Sequence, residues 1–454
     1  MRTSSSLLRA FRPQVQERLY DFYDELRNAD DLFWDRHLDA WIATGYAVVS
    51  SAAGNPGLSS VRYPDIEAVS EELRPLARVL SRQMLYSDAP DHPRQRALIS
   101  RAFTPRALAA LRARIVEAVD QIITHAAPTG RMDIVADLAR PLPLTIICDL
   151  LDVPQQDRPA LAAWSEPIAE AIGNSRLDAD GNRAASQSMA DMLAYLRELL
   201  TRHDAPPTPH TLRALVTAQA EKSDQDFDEL LANCALLLIA GHETTTHFIG
   251  NATLALLRHP HAADQLRRRP DLMPAAVEEL LRYDAPVQLM LRRARQDLDL
   301  AGRTIAEGQT VLLVCGAANR DPAVFPEPHV LDFGRAGGRH MSFGNGPHFC
   351  LGAALARLEG AIALEALLTR LPGLRLDGPT PQWQRSLNFR GLTRLDVAFT
   401  PLADDHDRAT QDLPTDGSPR GLNRATHADG CPARPTPDRV AGASPRPGEE
   451  STAV

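Results

Sequence analysis

The sequence predicts a mainly α-helical protein with a small β portion, an α+β fold built as one large domain. Apolar residues recur at spacings of three and four through most of the chain, which is the pattern of helices that bury one face. Short segments rich in β-branched residues lie before and after that helical region. The chain has 454 residues, of which 44% are hydrophobic, so it can bury a large core.

The predicted elements follow the chain. Residues 34–50, which include Trp41, Ile42, Val48 and Val49, favour short strands near the start of the fold. Apolar spacing then predicts helices at 107–126, 138–151, 159–171, 184–200 and 227–257. No proline interrupts the last of these, which would span roughly 45 Å, the width of a domain. Strands are predicted again at 309–314 and 392–399.

The composition changes near the end of the chain. Residues 403–454 contain no aromatic residue and no isoleucine, and they are rich in proline, aspartate, arginine and threonine. Such a segment cannot bury enough apolar surface to offset the conformational entropy lost on ordering. The sequence therefore predicts a folded domain over 1–402 and a disordered tail over 403–454.

Charge and cysteine usage exclude several classes of function. The net charge of −9 argues against a general nucleic-acid binder. The five cysteines are scattered, with no CxxC pair, so neither a disulfide framework nor a zinc site is expected. No apolar stretch is long enough for a signal peptide or a membrane anchor, and we expect a cytoplasmic protein.

The most informative segment is 343–352, which reads FGNGPHFCLG. Cys350 follows a glycine-rich loop and precedes a helical pattern that begins near Gly352. The positive end of a helix dipole favours thiolate over thiol, and Phe343 and Phe349 can keep water away from the sulfur. The arrangement suits a thiolate that binds haem iron. The alternative is a buried cysteine beside a glycine-rich turn.

A second informative segment, 240–245, reads AGHETT within the longest predicted helix. Gly241 costs about 1 kcal/mol of helix stability relative to alanine. The Thr244 hydroxyl can bond back to the Ala240 carbonyl and bend the helix, which opens space for a small ligand. His242 and His247 imitate the zinc motif HExxH, but they are five residues apart rather than four, so zinc is not expected.

These motifs resemble those of the cytochrome P450 monooxygenases. Phe343, Gly346, Cys350 and Gly352 match the family pattern Phe-x-x-Gly-x-x-x-Cys-x-Gly, and 240–245 matches its oxygen-activating motif. The resemblance runs from about residue 21 to 399. It implies the P450 fold, haem b as the cofactor, and Cys350 as the axial thiolate ligand of the iron, with Phe343, Gly344 and Gly352 beside the haem.

The resemblance also assigns roles to further residues. Glu243 would supply protons, and Thr244 would contact the oxygen that is activated. Glu279, Arg282 and Arg335 would form the structural network that holds the cysteine loop. The residues implied to bind the haem, mostly through its propionates, are His92, Arg96, Ala240, Arg292 and His348.

Substrate contacts are implied by position in the family. They are Leu236, Ala240, Thr244, Val287, Leu289, Met290, Leu392 and Thr393, together with the loop 79–85. Ordinary core packing is the alternative for each of them. Because most of these side chains are apolar, a mainly apolar substrate face is expected.

The implied activity is O2-dependent hydroxylation or epoxidation of a small molecule of bacterial secondary metabolism. Electrons derived from NAD(P)H would arrive through a ferredoxin and a ferredoxin reductase, docking at Arg101, Arg339 and Arg357. Two alternatives remain. The same haem chemistry can drive C–C or C–N coupling or use peroxide, or the chain can be a haem sensor without catalysis.

Overall fold

Helices form most of the structure, a computed structural model that describes residues 6–174, 177–201, 211–214 and 224–401. The described residues belong to one unit, Met1–Ala403. The predicted tail, 403–454, lies outside the described residues. In chain order the helices are α1 Pro13–Gln16, α2 Leu19–Ala29, α3 Tyr46–Gly54, α4 Arg74–Leu80, α5 Asp91–Ile99, α6 Pro105–Ala126, α7 Pro141–Leu151, α8 Arg158–Gly173, α9 Ala179–Thr201, α10 Asp224–Arg258, α11 Pro260–Arg268, α12 Met273–Tyr283, α13 Cys315–Ala318 and α14 Ala353–Arg370.

Short turns of other helical types join these helices. A π-helix, Ile134–Ala139, precedes α7. The 3₁₀ turns are Leu7–Phe11, Met84–Tyr86, Ser100–Phe103, Ala127–Thr129, Gln155–Asp157, Pro270–Leu272 and Gly346–His348. Within the part of the chain that the structure describes, no helix combines the length and the apolar character that spanning a bilayer demands.

The strands form three small sheets. They are β1 Leu32–Asp35, β2 Ala40–Ala43, β3 Leu58–Ser59, β4 Arg131–Asp133, β5 Leu289–Ala294, β6 Leu298–Leu300, β7 Arg303–Ile305, β8 Thr310–Val314, β9 Arg375–Leu376 and β10 Asp396–Ala398. The largest sheet has the order β1-β2-β8-β5-β3, with β2 and β8 parallel. The others have the orders β4-β10-β9 and β6-β7.

The predicted helices are confirmed with small shifts of their ends. Helix α6 buries Leu111, Ile115 and Val119 on one face, as the spacing predicted. The prediction for 138–151 covers two elements, because the π-helix gives way to α7 at Pro141, which occupies the first position of that helix. Strand 309–314 is confirmed as β8, whereas only 396–398 of the strand predicted at 392–399 forms β10.

One prediction was wrong. Val48 and Val49 lie in helix α3, not in a strand. The helix begins after Gly45, and its first backbone N–H, at Tyr46, donates to the carboxylate of Asp321 over 2.8 Å. Since that capping group comes from 275 residues away in the sequence, no local pattern marks the start of the helix.

Helices α10 and α14 cross in direct contact. At the crossing lies Gly360 of α14, where a Cβ atom would come within 2.2 Å of the Phe248 ring of α10. No real Cβ atom tolerates such a contact, so glycine sets how closely the two helices approach. This crossing fixes the spacing of the two helices that carry the residues described next.

Candidate active site

A cavity of about 430 Å³ lies between α10, strand β5 and the loop that precedes α14. Its walls are mainly apolar. The predicted site residues that line it are His92, Arg96, Leu236, Ala240, Thr244, Val287, Leu289, Met290, Arg292, Phe343, Gly344, His348, Cys350 and Gly352. Gln83, Met84 and Leu85, at the end of the predicted loop 79–85, line it as well.

Three residues predicted for the catalytic or substrate site lie elsewhere. Leu392 is buried and Thr393 is exposed, its hydroxyl directed to the carbonyl of Gln382 over 3.2 Å. Neither belongs to the cavity wall, where Phe389, a few residues earlier, stands instead. Glu243 also lies outside the wall, although its neighbour Thr244 is part of it.

The loop around Cys350 is held by backbone bonds and by two glycines. The Cys350 N–H donates to the Phe343 carbonyl over 2.9 Å. Gly344 and Gly346 both have φ near +70°, a conformation that other residues rarely adopt. At Gly346 a Cβ atom would lie 2.9 Å from the Gly54 Cα at the end of α3. The loop therefore packs directly on that helix.

Helix α3 contacts the loop at further points. The Asn345 side-chain amide donates to the Ser50 carbonyl over 3.3 Å. The Tyr46 hydroxyl donates to the carbonyl of Arg339 over 2.7 Å, just before the loop begins. The position of Cys350 thus depends on a helix near the other end of the chain.

The Cys350 side chain has accessible surface, and that surface faces the cavity. Enclosure by protein raises the pKa of this thiol, whereas the backbone N–H of Gly352 and the charges of Arg96 and Arg357 lower it. The effect of burial is the larger, so the net shift of the pKa is upward. The protein alone therefore does not favour the thiolate, although the helix dipole was expected to do so. A bound metal ion deprotonates a coordinating thiol outright, and iron would do so here.

Four nitrogen-bearing side chains meet at one wall of the cavity. The rings of His92 and His348 stack with centroids 4.1 Å apart. Arg292 is buried, and its Nη2 has no hydrogen-bond partner. Burial, then Arg292 and His92, lower the pKa of His348 to about 3. Arg96 lowers the pKa of His92 in addition to burial.

Among the described residues, no carboxylate forms a salt bridge with this cluster. Asp88 is the carboxylate that acts on His348 and Arg292. It is already engaged, since it accepts hydrogen bonds from the Ser59 hydroxyl and the Ser60 N–H and pairs with Arg295. A buried guanidinium with an unpaired N–H, as at Arg292 Nη2, calls for an anionic ligand. The two propionates of haem b fit this wall, as the Cys350 sulfur fits its iron.

On α10 the Thr244 hydroxyl donates to the Ala240 carbonyl over 2.7 Å, as the sequence predicted. That bond uses the hydroxyl proton and leaves the oxygen lone pairs free to accept a hydrogen bond from the cavity. Gly241 lies against Ile147 of α7, where a Cβ atom would come within 3.2 Å of Ile147 Cδ1. The helix is therefore in close contact with α7 next to the threonine.

Glu243 lies behind the cavity wall. Burial raises its pKa to about 7, while Arg140 lowers it and Glu166 raises it further. Arg140 and Glu166 pair with each other over 2.8 Å, and both are about half-exposed. The carboxyl thus lies between the cavity wall and a charged pair in contact with solvent, with a pKa that lets it carry a proton at neutral pH.

Two histidines flank Glu243. His242 Nδ1 is 3.6 Å and His247 Nε2 is 3.9 Å from its carboxylate oxygens. Burial lowers the pKa of His242 to about 4 and that of His247 to about 3. Both imidazoles are therefore neutral at physiological pH, and these contacts are not ion pairs.

Glu279, Arg282 and Arg335 form one buried network, as expected from the resemblance. Arg282 donates to both Glu279 oxygens over 2.7 and 2.8 Å, and Arg335 Nε donates to the same carboxylate over 3.0 Å. Arg282 also donates to the carbonyls of Asn319 and Pro328. The network ties α12 to the segment that leads into the cysteine loop.

Two charged residues of the cavity wall are not among the predicted site residues. Glu359 of α14 is buried, and its Oε2 has no partner. Glu359 comes four residues after Leu355 and three before Ile362, so it lies on the apolar face of the helix. A carboxylate at such a position is the sequence signal that marks it. Arg62 lies in the irregular segment after β3, where no periodic pattern marks it.

Comparison with known proteins extends over most of the chain. The family model described as Cytochrome P450 matches residues 181–372. The chain is 37% identical over 385 residues to the biotin biosynthesis cytochrome P450 of Bacillus subtilis (strain 168), covering 84% of this chain and 96% of that protein. It is 36% identical to the 6-deoxyerythronolide B hydroxylase of Saccharopolyspora erythraea, covering 83% of this chain and 95% of that protein.

A solved structure gives the same result at the level of the fold. It is the crystal structure of P450BioI in complex with acyl carrier protein ligated with hexadec-9Z-enoic acid. The TM-score is 0.80 at 35% sequence identity, with 85% of this chain and 99% of that chain covered.

Proposed function

This chain belongs to the cytochrome P450 family and is a haem-dependent monooxygenase, and we propose that it hydroxylates or epoxidises a small, mainly apolar molecule of bacterial secondary metabolism. One observation carries the proposal. Cys350, from the loop before α14, and Thr244, from α10, line the same apolar cavity, and the buried Arg292 borders it with Nη2 unpaired among the described residues. A thiolate ligand, a positioned hydroxyl and an apolar chamber are what this chemistry requires.

In this proposal Cys350 holds the haem iron, and His92, Arg96, Arg292 and His348 hold the propionates. Gly344 and Gly352 leave room for the macrocycle beside the loop. When bound, the haem supplies the redox chemistry by which one oxygen atom of O2 enters the substrate and the other leaves as water. The apolar wall, including Leu236, binds the substrate and keeps bulk water out.

Protons for this reaction would enter through Glu243 and Thr244. The Glu243 carboxyl, with a pKa of about 7, exchanges protons with solvent near the Arg140–Glu166 pair. Thr244 accepts a hydrogen bond at its oxygen while it donates its own hydroxyl proton to the Ala240 carbonyl. The threonine then positions a proton donor at the side of the cavity where oxygen is activated.

The enzyme depends on redox partners for its electrons. We propose a ferredoxin and its NAD(P)H-dependent reductase, docking on the surface formed by Arg101, Arg339 and Arg357. Arg101 and Arg339 are exposed, and Arg339 stacks over the Phe349 ring at 4.0 Å, next to Cys350. A cytoplasmic location is proposed with it, since the four described cysteines are free thiols.

The first test is the absorption spectrum of the reduced protein with carbon monoxide bound. Cys315 also lines the cavity, so it provides a matched control for Cys350. Wild type and Cys315→Ala should show the strongly red-shifted Soret band of a thiolate ligand, and Cys350→His should lose it while still binding haem. A band that survives Cys350→His, or that disappears in Cys315→Ala, would mean that Cys350 is not the ligand.

A further inference from the structure

One polar group on the cavity wall has no role in holding the haem or in moving protons. Arg62 follows strand β3 and lines the cavity together with Tyr86. Its guanidinium stands between two aromatic rings, 5.6 Å from the centroid of Tyr63 and 6.0 Å from that of Tyr86. Contacts of this kind hold a guanidinium in place and keep it charged.

The hydrogen bonds of Arg62 go to uncharged groups. Nη2 donates to the Ile172 carbonyl, near the end of α8, over 3.1 Å. The phenols of Tyr86 and Tyr63 also hydrogen-bond with it, and no carboxylate of the described residues forms an ion pair with it. A guanidinium has five N–H donors, and in a mainly apolar wall the unused ones favour an oxygen anion.

Tyr86 adds a further donor at the same place. Burial raises the pKa of its phenol, so the hydroxyl stays protonated at any physiological pH. The surrounding wall is apolar, formed by residues such as Leu38, Ile172 and Phe389. The polar pair therefore stands out within an apolar surface, as orienting groups do in ligand sites.

Arg62 contacts a different element from those that carry the groups assigned to the propionates. Arg62 contacts the end of α8, whereas the groups assigned to the propionates are on α5, β5 and the cysteine loop. Those groups already account for the two propionates. A second anionic group bound at Arg62 would therefore belong to the substrate.

We propose that the substrate is a carboxylic acid, with its carboxylate bound by Arg62 and Tyr86 and its apolar remainder extending along the cavity toward Thr244. This inference rests on the proposed function and narrows its substrate class. A carboxylate fits the planar fork of the guanidinium with two parallel hydrogen bonds. Anchoring one end of a flexible apolar molecule also decides which of its carbon atoms reaches the site of oxidation.

The test uses the full-length, haem-loaded protein and ligands that carry their own iron-binding group. Medium-chain ω-(imidazol-1-yl)alkanoic acids are titrated beside their methyl esters, and binding is followed by the shift of the Soret band. The variants are Arg62→Met, which removes the charge, Arg62→Lys, which keeps it, and Arg36→Met, an exposed arginine on the turn between β1 and β2.

Wild type and Arg36→Met should bind the acid about tenfold or more tightly than the ester, at the chain length that reaches from the iron to Arg62. Arg62→Met should lose this preference and keep its affinity for the ester, which also shows that the variant is folded. Arg62→Lys should keep part of the preference, because it retains the charge but not the fork.

Equal affinity of wild type for acid and ester at every chain length would overturn the proposal, as would a preference that survives Arg62→Met. Failure of the haem assignment looks different, because the imidazole itself would then not shift the Soret band, whatever group is attached to it. Failure of the oxygenase function alone would leave the preference for the acid in place while no acid is oxidised with O2 and reductant.

Discussion

Glu359 is a buried carboxyl group whose Oε2 has no hydrogen-bond partner within the described residues. It is buried on α14, and burial raises its pKa to about 8. The group is therefore a neutral carboxylic acid at pH 7, since ionising it there would leave an unpaired charge in an apolar wall. Such a group makes the stability of the whole chain depend on pH.

The sign of that dependence follows from the two pKa values. The ordinary pKa of the group is 4.5, so between the two values the folded chain holds a proton that the unfolded chain has lost. This contribution is complete below pH 4.5 and is lost as the pH rises through about 8. Relative to Glu359→Gln, wild type should lose a few kcal/mol of unfolding free energy between about pH 5 and 8.

Chemical denaturation of the haem-loaded proteins at several pH values measures this difference. Glu365→Gln, which alters an exposed carboxylate of the same helix, is the control and should follow wild type. If the unfolding free energies of wild type and Glu359→Gln changed with pH in parallel, Glu359 would have an ordinary pKa in the folded protein. The assignment of a neutral carboxyl group at pH 7 would then be wrong.

Thr244 allows the proton pathway to be tested at a single hydroxyl. Thr244→Ala removes the oxygen that accepts a hydrogen bond in the cavity. Product formed per NAD(P)H consumed should fall by roughly one to two orders of magnitude with O2 and reductant, with hydrogen peroxide appearing instead. Turnover driven by added peroxide should change much less, because it does not need protons delivered to O2.

The control for this prediction is Thr246→Ala. Thr246 is buried, and its hydroxyl donates to the His242 carbonyl over 2.9 Å. This is the same kind of bond as that of Thr244, two residues further along α10. It does not line the cavity. If wild type and Thr244→Ala formed the same amount of product per NAD(P)H, the proposed role of the threonine would be contradicted. That result would favour oxidative C–C or C–N bond formation, or peroxide chemistry.

Among the elements, α10 and α14 carry most of the site, and their crossing can be tested with two glycines. Gly360→Ala should destabilise the protein by about 1–3 kcal/mol, because the added methyl group meets the Phe248 ring at 2.2 Å. Gly250→Ala, on α10, should instead be neutral or stabilise by up to about 1 kcal/mol, because its nearest neighbour, Val135 Cγ2, is 3.8 Å away.

Thermal or chemical unfolding of both variants decides between the two effects. A Gly360→Ala protein as stable as Gly250→Ala would mean that α14 can shift away from α10 at little cost. Haem content should be measured as well, because that shift would also move the cysteine loop.

The sequence predicts an element well when the interactions that form the element are made by residues near one another in the chain. Helices such as α6 and α10 follow from the spacing of their own residues, and Cys350 and Thr244 stand in motifs that are local too. Helix α3 was predicted as a strand because its cap, Asp321, comes from a distant segment. Arg62 and Phe389 reach the cavity from irregular segments, whose position depends on tertiary contacts rather than on a repeating pattern.

At the scale of the whole molecule, the surface near Cys350 should decide how fast electrons arrive. Arg101→Glu should slow reduction by an acidic ferredoxin at low ionic strength by about tenfold, with the difference shrinking as salt is added. Arg36→Glu makes the same change of charge on the β1–β2 turn and should reduce normally. Stopped-flow reduction over a range of salt concentrations measures both. Unchanged rates for Arg101→Glu would place the docking surface elsewhere.

The contacts between helix α3 and the cysteine loop also bear on the order in which the protein is synthesised, folds and binds its cofactor. The Asn345–Ser50 contact closes a loop of 295 residues. During synthesis the helix leaves the ribosome early and the loop late, so the support for the iron ligand is complete only when nearly the whole domain has been made. If Cys350 is the ligand, as proposed, haem capture is expected late in biogenesis, and a nascent chain that stalls before residue 350 should lack the iron ligand.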